Sequence, residues 1–173
     1  LTPNPRCAMH NPIFDSREFR QTLGCFPTGV TIITCLTATG EPVGMTASSF
    51  NSVSLDPPLV LWSIDKRALS LQAFTQAKHY AIHVLAAHQQ DLSNQFARQG
   101  ADKFSGVSVT EGIAGVPLLT EYCARFQCQT EHQYEGGDHI ILVGRVLDFK
   151  ATEYNPLLFH RGRYALLEEA ALA

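Results

Sequence analysis

The alternation of apolar and polar positions predicts a chain in which strands outnumber helices. Val30-Thr31-Ile32-Ile33-Thr34-Cys35-Leu36 is rich in β-branched residues and reads as a strand, closed by a turn around Thr39-Gly40-Glu41-Pro42. Leu59 to Ile64 and Tyr80 to Leu85 give two more strands. Tyr122 to Glu131 alternates apolar with polar, the pattern of a strand with one wet face. Glu135-Gly136-Gly137-Asp138 reads as a hairpin turn into a strand from His139 to Phe149. Helical signals fall between these runs. Asp15 stands as N-cap of a helix ending near Gly24, with Glu18 at the capping-box position and Phe14 placed to staple against Phe19. Ala68 to Gln76 reads as a short helix, and His88 to Arg98 as another, with Leu92 and Phe96 on one face and Gly100 as its break. This order predicts a mainly β, antiparallel fold whose short helices cap a barrel.

One segment stands apart from the strand pattern. Gly44-Met45-Thr46-Ala47-Ser48-Ser49-Phe50-Asn51-Ser52-Val53-Ser54-Leu55 concentrates small hydroxyl residues, stops at Asp56-Pro57-Pro58, and restarts as an apolar strand. Hydroxyls and free N–H groups bond the edge atoms of a flat ring, and small side chains let such a ring approach the backbone. No strong acid or base lies within it, so it suits a cofactor that brings its own chemistry better than proton transfer by side chains. A plain turn before Pro-Pro has the same composition, and the residues alone leave both readings open.

Length and composition narrow the classes. At 173 residues and 45% hydrophobic, one domain is expected, over residues 14–167, with an irregular arm at 1–13 and a tail at 168–173. The chain does not begin with Met, so the true start is expected to be missing or removed. A net charge of −3 without a Lys/Arg run excludes a nucleic-acid footprint. No apolar run reaches bilayer length and the first residues lack a signal-peptide pattern, so a cytoplasmic protein without a membrane partner is expected. Five cysteines with no C-x-x-C read as reduced thiols. The seven histidines make no zinc-type spacing with them; His79 and His83, two side-chain steps apart on one strand face, read as structural, and no metal is expected.

Four pieces then carry a resemblance: Phe26-Pro27-Thr28-Gly29-Val30-Thr31; Gly44 to Phe50 with Ser52 to Val60; the helix bearing Asn94-Gln95-Phe96-Ala97; and Gly137-Asp138-His139 opening a strand through Val143-Gly144-Arg145-Val146. Together, over residues 14–167, they resemble the flavin reductase family of the FMN-binding split barrel, the reductase components of two-component flavin-dependent monooxygenases. The resemblance implies a six-stranded antiparallel Greek-key split β-barrel with flanking short helices, assembled as a homodimer with flavin near the subunit interface. It implies an NAD(P)H:flavin oxidoreductase that carries hydride from NADH or NADPH to FMN or FAD and supplies reduced flavin to an oxygenase component. There is no G-x-G, so no Rossmann site for the nicotinamide is expected.

The resemblance also implies residue roles. Thr46, Ala47, Ser48 and Ser49 would lie along the flavin, with donors at N5 and O4 that stabilise the charge arriving with a hydride. Lys66, Arg67 and Ser70, at a predicted helix start, are candidates for its phosphate, against the plain reading of a solvated charged loop. Ser52 and Ser54 flank the region; strand alternation would point both to one side, so both face the ligand or neither does. Phe26, Pro27 and Thr28 would border the pocket or the dimer contact, with a core role as the alternative for Phe26, and Phe96 joins the cofactor set. His139 is the implied catalytic residue, beside the nicotinamide, orienting its hydride. Arg163 and Tyr164 would complete the pocket, with surface charge as the alternative for Arg163. Where the family often has Val-Asn-Val-Leu, this chain has Ile82-His83-Val84-Leu85, which predicts a changed polarity or pH response at the pocket. Two rivals stand beside the reductase: a non-enzymatic flavin- or haem-binding module, and an oxidase of the pyridoxamine-phosphate oxidase type.

Overall fold

The computed structural model describes residues 14–100 and 102–168; the expected arm at 1–13 and, Glu168 apart, the expected tail lie outside them. Helix α1 (Ser16–Leu23) starts as its capping signal predicts. Asp15 Oδ1 accepts from Arg17 N–H at 2.8 Å and Glu18 N–H at 3.3 Å, and the Phe14 and Phe19 rings stack 5.9 Å apart. Strands β1 (Thr28–Gly29), β2 (Thr31–Leu36), β3 (Pro42–Ala47), β4 (Asn51–Leu55) and β5 (Pro58–Asp65) follow. Next come α2 (Leu71–Gln76), β6 (His79–Val84) and α3 (Gln90–Ala97). A small hairpin, β7 (Val109–Glu111) and β8 (Pro117–Leu119), precedes the long pair β9 (Ala124–Gly136) and β10 (His139–Ala151), and β11 (Leu158–His160) and β12 (Arg163–Ala165) end the fold. Among the described residues no helix is long and apolar enough to cross a membrane.

The fold is mainly β and antiparallel, as expected. Its principal sheet runs β3-β2-β6-β9-β10-β5-β4, seven strands rather than six, β4 being a short addition on the edge of β5. The sheet rolls until β3 lies against β5 without sharing a ladder with it, which leaves the barrel split there. Strict alternation in β5 turns Val60, Trp62 and Ile64 inward and leaves Leu59, Leu61, Ser63 and Asp65 half-exposed. Inside, Ile33, Cys35, Tyr80, Ile82, Cys128 and Leu142 meet them, and Phe74 of α2 plugs one end, its ring edge-on to Trp62 at 4.9 Å. Each such fully buried side chain contributes roughly 1.5–3 kcal/mol. Burial pushes the Cys35 and Cys128 thiols up to about 12, so both behave as small hydrophobes; the four described cysteines are unpaired.

A second core forms outside the barrel, where Phe96 of α3, Leu119 of β8 and Leu157 pack on Val30, Ile32 and Leu85. It carries a separate three-stranded sheet, β1-β11-β12. The sequence missed this sheet because strands of two or three residues show no periodicity. Helix α2 is shorter than predicted, since Asp65 to Leu71 is spent on turns, with Ala68 N–H bonding Asp65 O and Leu71 N–H bonding Ala68 O. Between β9 and β10 the predicted turn is confined to Gly137 and Asp138, Gly137 supplying a φ of +76°.

His83 overturns its expectation of altering the pocket. It is fully buried beside the second core, its Nδ1–H donating to Ile32 O at 3.1 Å and its Nε2 accepting from Leu119 N–H at 3.1 Å. These two bonds select the neutral Nδ1–H tautomer, and burial pushes its pKa down to about 3. Its work is to tie β8 to the β2–β6 pair.

Candidate active site

The hydroxyl-rich segment spans the split in the barrel. Thr46, near the end of β3, turns its hydroxyl to Ser93 O on α3 at 2.6 Å. Ser49 crosses to β5, where its Oγ donates to Ser63 O at 3.0 Å and accepts from Ser63 N–H at 2.9 Å, so one side chain replaces a missing strand partner. Phe50 anchors the loop, its ring 5.5 Å from Phe126. Two of the predicted ligand hydroxyls are thus bonded within the protein. The backbone is not: among the described residues, the N–H groups of Ser48, Ser49 and Phe50 make no hydrogen bond. Three consecutive free donors beside the small Ala47 fit the polar edge of a flat heterocycle.

The same strand, β5, leads to His139. Ser63 pairs with Ile141 of β10 and Asp65 pairs with His139, and cross-strand partners share a face, so Ser63, Asp65 and His139 lie on the outside of the barrel, while Ser49 meets the backbone of Ser63 from the opposite edge of β5. His139 Nδ1 bonds Asp138 Oδ1 at 2.7 Å, and among the described residues its Nε2 has no partner. The hydroxyl-rich segment and the implied catalytic histidine thus flank the same end of β5 from its two edges.

The proposed phosphate residues divide. Arg67 forks onto Asp65, with Nε to Oδ1 at 3.1 Å and an NH2 nitrogen to Oδ2 at 2.7 Å, and holds that carboxyl well below the usual range. Lys66 bonds the Glu135 carboxylate. Asp138 is held below its ordinary value by its bond to His139. Both cations are therefore matched by acids. Ser70 lies elsewhere, on a cleft of about 640 Å³ between β3, α2 and the loop after α3, together with Thr46 and Met45. Lys103 lines this cleft too and donates to Gly44 O at 3.1 Å; burial lowers its pKa. The sequence reading missed Lys103, because nothing in the linear chain brings it to a strand 59 residues away.

The remaining candidates take other places. Phe96 is fully buried behind the wall of the cleft, and it packs where a Cβ on Gly44 would fall 2.5 Å from its Cε1, which is why position 44 has no side chain. Ser52 pairs with Val60 and Ser54 with Leu59, adjacent residues on β5, so the bulge at Val53 sends the two serines to opposite faces and cancels the alternation argument. Tyr164 does not open onto the cleft as a ligand group; its hydroxyl donates to Asn94 Oδ1 at 2.9 Å and meets Ser93 Oγ at 2.9 Å, fixing α3. Phe26, Pro27, Thr28 and Arg163 belong to the small sheet and its approach, with Thr28 paired to Phe159 and Arg163 to His160, and Phe26 is exposed, which removes a core role for it.

Comparison with known proteins gives the same picture. The flavin reductase like domain model matches residues 23–168. The FMN reductase (NADH) SmoA of Agrobacterium fabrum is 46% identical over 150 residues, covering 87% of this chain and 85% of the relative. The stachydrine N-demethylase reductase subunit Stc3 of Rhizobium meliloti is 42% identical, covering 95% of this chain and 72% of the relative. Some relatives are longer: the chain spans 49% of a probable flavin reductase of Rhizobium meliloti. Among solved structures, the NADH:FAD oxidoreductase SgcE6 of Streptomyces globisporus C-1027, in complex with NAD and FAD fragments, superposes with a TM-score of 0.85 at 37% identity, over 92% of this chain and 99% of that one. On the match to the domain model, these relatives and the shared split barrel, this chain belongs to the flavin reductase like family.

Proposed function

We propose that this protein is an NAD(P)H:flavin oxidoreductase that moves a hydride from NADH or NADPH to FMN or FAD and supplies the reduced flavin to an oxygenase component. The observation that carries the reading is the row of free amides at Ser48, Ser49 and Phe50, held by the Ser49–Ser63 bridge, with His139 paired to Asp65 two residues further along the same strand. When bound there, a flavin supplies the hydride-accepting ring. The chain's own part is positional and electrostatic. Amides preorganised across the split hold the polar edge of the ring without reorganising as charge arrives. Ala47 keeps the backbone approachable. Asp138 orients the His139 ring, and its free Nε2 is available to the nicotinamide carboxamide or pyrophosphate, which fixes the donor face for transfer. No side-chain nucleophile takes part.

The oxygenase link rests on relatives such as the flavin-dependent monooxygenase reductase subunit HsaB of Rhodococcus jostii, 42% identical over 89% of this chain. We assign a homodimer as well. Helix α1 has no buried residue, and Leu55 and Phe149 are 96% and 73% exposed on β4 and β10, large apolar side chains that a monomer leaves in water. The unpaired thiols favour a reducing, cytoplasmic setting. Steady-state oxidation of NADH and of NADPH, each with FMN and with FAD, tests the activity. Turnover with at least one pair supports it; flavin binding without nicotinamide oxidation selects the binding-module rival, and amine oxidation without nicotinamide selects the oxidase.

A further inference from the structure

We propose that Arg67 is a positioning residue for His139: by holding both oxygens of Asp65 it keeps that carboxylate off the imidazole, so that His139 bonds Asp138 alone and leaves Nε2 for the nicotinamide. The inference deepens the flavin reductase reading and rests on it for the identity of that ligand. The argument begins from the register of two strands. Asp65 is the last residue of β5 and His139 the first of β10, and the two are direct cross-strand partners, which puts their Cβ atoms about 4.5–5.5 Å apart on one face. The backbone closes the same corner, Lys66 N–H donating to Asp138 O at 2.9 Å. His139 therefore has two carboxylates beside it, Asp138 adjacent in the chain and Asp65 across the ladder. Arg67 first, and the charge of His139 at longer range, hold the Asp65 carboxyl below its ordinary range; the bond to His139 does the same for Asp138, against the opposing charge of Asp65. The Asp138 side chain is 80% exposed and that of Asp65 31%, so water screens Asp138 more and Asp65 is the stronger competitor for an imidazole N–H. Yet His139 bonds Asp138. The reason is that Asp65 is already occupied. Its Oδ1 accepts from the Arg67 backbone N–H at 2.8 Å and from Nε at 3.1 Å, and its Oδ2 accepts from Nη2 at 2.7 Å, a fork that uses the paired donors of a planar guanidinium. Lys66, the neighbouring cation, is bonded to Glu135 and does not reach this acid. Without the fork, an imidazole between two carboxylates gives a nitrogen to each, and nothing is left for a substrate. Phosphate binding by Arg67 would require the opposite, an open fork.

The test is a double-substitution cycle on the full chain, with Arg67→Met, Asp65→Asn and both together. Arg67→Met is expected to lower kcat/KM for the preferred nicotinamide by about fivefold or more with flavin Kd unchanged, Asp65→Asn to stay within about twofold of wild type, and the double variant to return to the level of Asp65→Asn. Ring nitrogen NMR spectra of histidine-labelled protein, with the His139 signals identified by their loss in His139→Ala, give a readout independent of turnover. The Nε2 signal should move toward that of a bonded nitrogen in Arg67→Met and revert in the double variant. A loss that Asp65→Asn does not restore, above all one shared by flavin Kd, marks Arg67 as a cation for a ligand phosphate and overturns the inference. Unchanged kcat/KM or an unmoved ring signal in Arg67→Met overturns it as well. A wild type that oxidises neither nicotinamide sinks the reductase reading, and the ring spectra then decide the Arg67–Asp65 fork alone.

Discussion

Two histidines on strands of the same sheet show how burial divides structural from chemical duty. His83 on β6 is fully buried with both ring nitrogens bonded to backbone, and it is neutral because its charged form has no water and no acid. His139, at the start of β10, gives one nitrogen to Asp138 and, among the described residues, keeps the other free beside the end of β5. A histidine whose hydrogen bonds are all consumed by its own fold has nothing left for a substrate. One that is held at a single nitrogen is oriented and still available.

The comparison breaks most visibly through His83. Replacing it with Ala leaves the buried Leu119 N–H unpaired and a cavity beside it, so about 3 kcal/mol and roughly 6–12 °C of Tm should be lost in a thermal melt. A melt unchanged within error would contradict the structural assignment. The same residue predicts an acid response. Its folded pKa of about 3 lies below its ordinary 6.5, so between these values the unfolded chain binds the proton and the folded chain does not. The stability it confers is complete above pH 6.5 and drains away as pH falls, by about 2 kcal/mol between 6.5 and 5. Urea midpoints for wild type and His83→Asn over that range should diverge; parallel curves would remove His83 as the cause.

At the other histidine the expected damage is functional. His139→Ala should lower kcat/KM for NADH by about tenfold to a hundredfold while stability stays within about 0.5 kcal/mol, a split that stopped-flow reduction and a melt resolve together. Ser49→Ala sits between the two cases. It leaves both backbone groups of Ser63 without their partner, so about 1 kcal/mol of stability and a few-fold in flavin Kd should be lost. The smallest effect is expected for Tyr164→Phe, at about 0.5–1 kcal/mol in a denaturant titration, because one shared hydroxyl is lost and the half-buried Asn94 still reaches water.

What the sequence made legible follows from the range of each signal. Capping at Asp15, alternation in β5 and the Gly137 turn are local, and each appears where its pattern places it. The segment Thr46 to Ser49 was legible as a candidate site by its composition, with hydroxyls and amides both offered as donors, and the structure separates the two: the hydroxyls of Thr46 and Ser49 serve the fold and the amides stay free. Composition records which groups are present, and long-range bonds decide which are spent. The bulge at Val53 shifts register by one residue, a change the strand's own alternation does not record. Lys103 lay beyond any local signal because the loop after α3 reaches the cleft only through the packing of Phe96 and Phe104 on Gly44.

The central claim is that free amides across the split hold a flavin within reach of a nicotinamide positioned by His139. Anaerobic stopped-flow absorbance of the protein with FMN or FAD, mixed with NADH or NADPH, tests it directly. Rapid bleaching of the visible flavin band, slowed by His139→Ala without loss of bound flavin, is the predicted result. Flavin that stays bound and oxidised after mixing with either nicotinamide would contradict it.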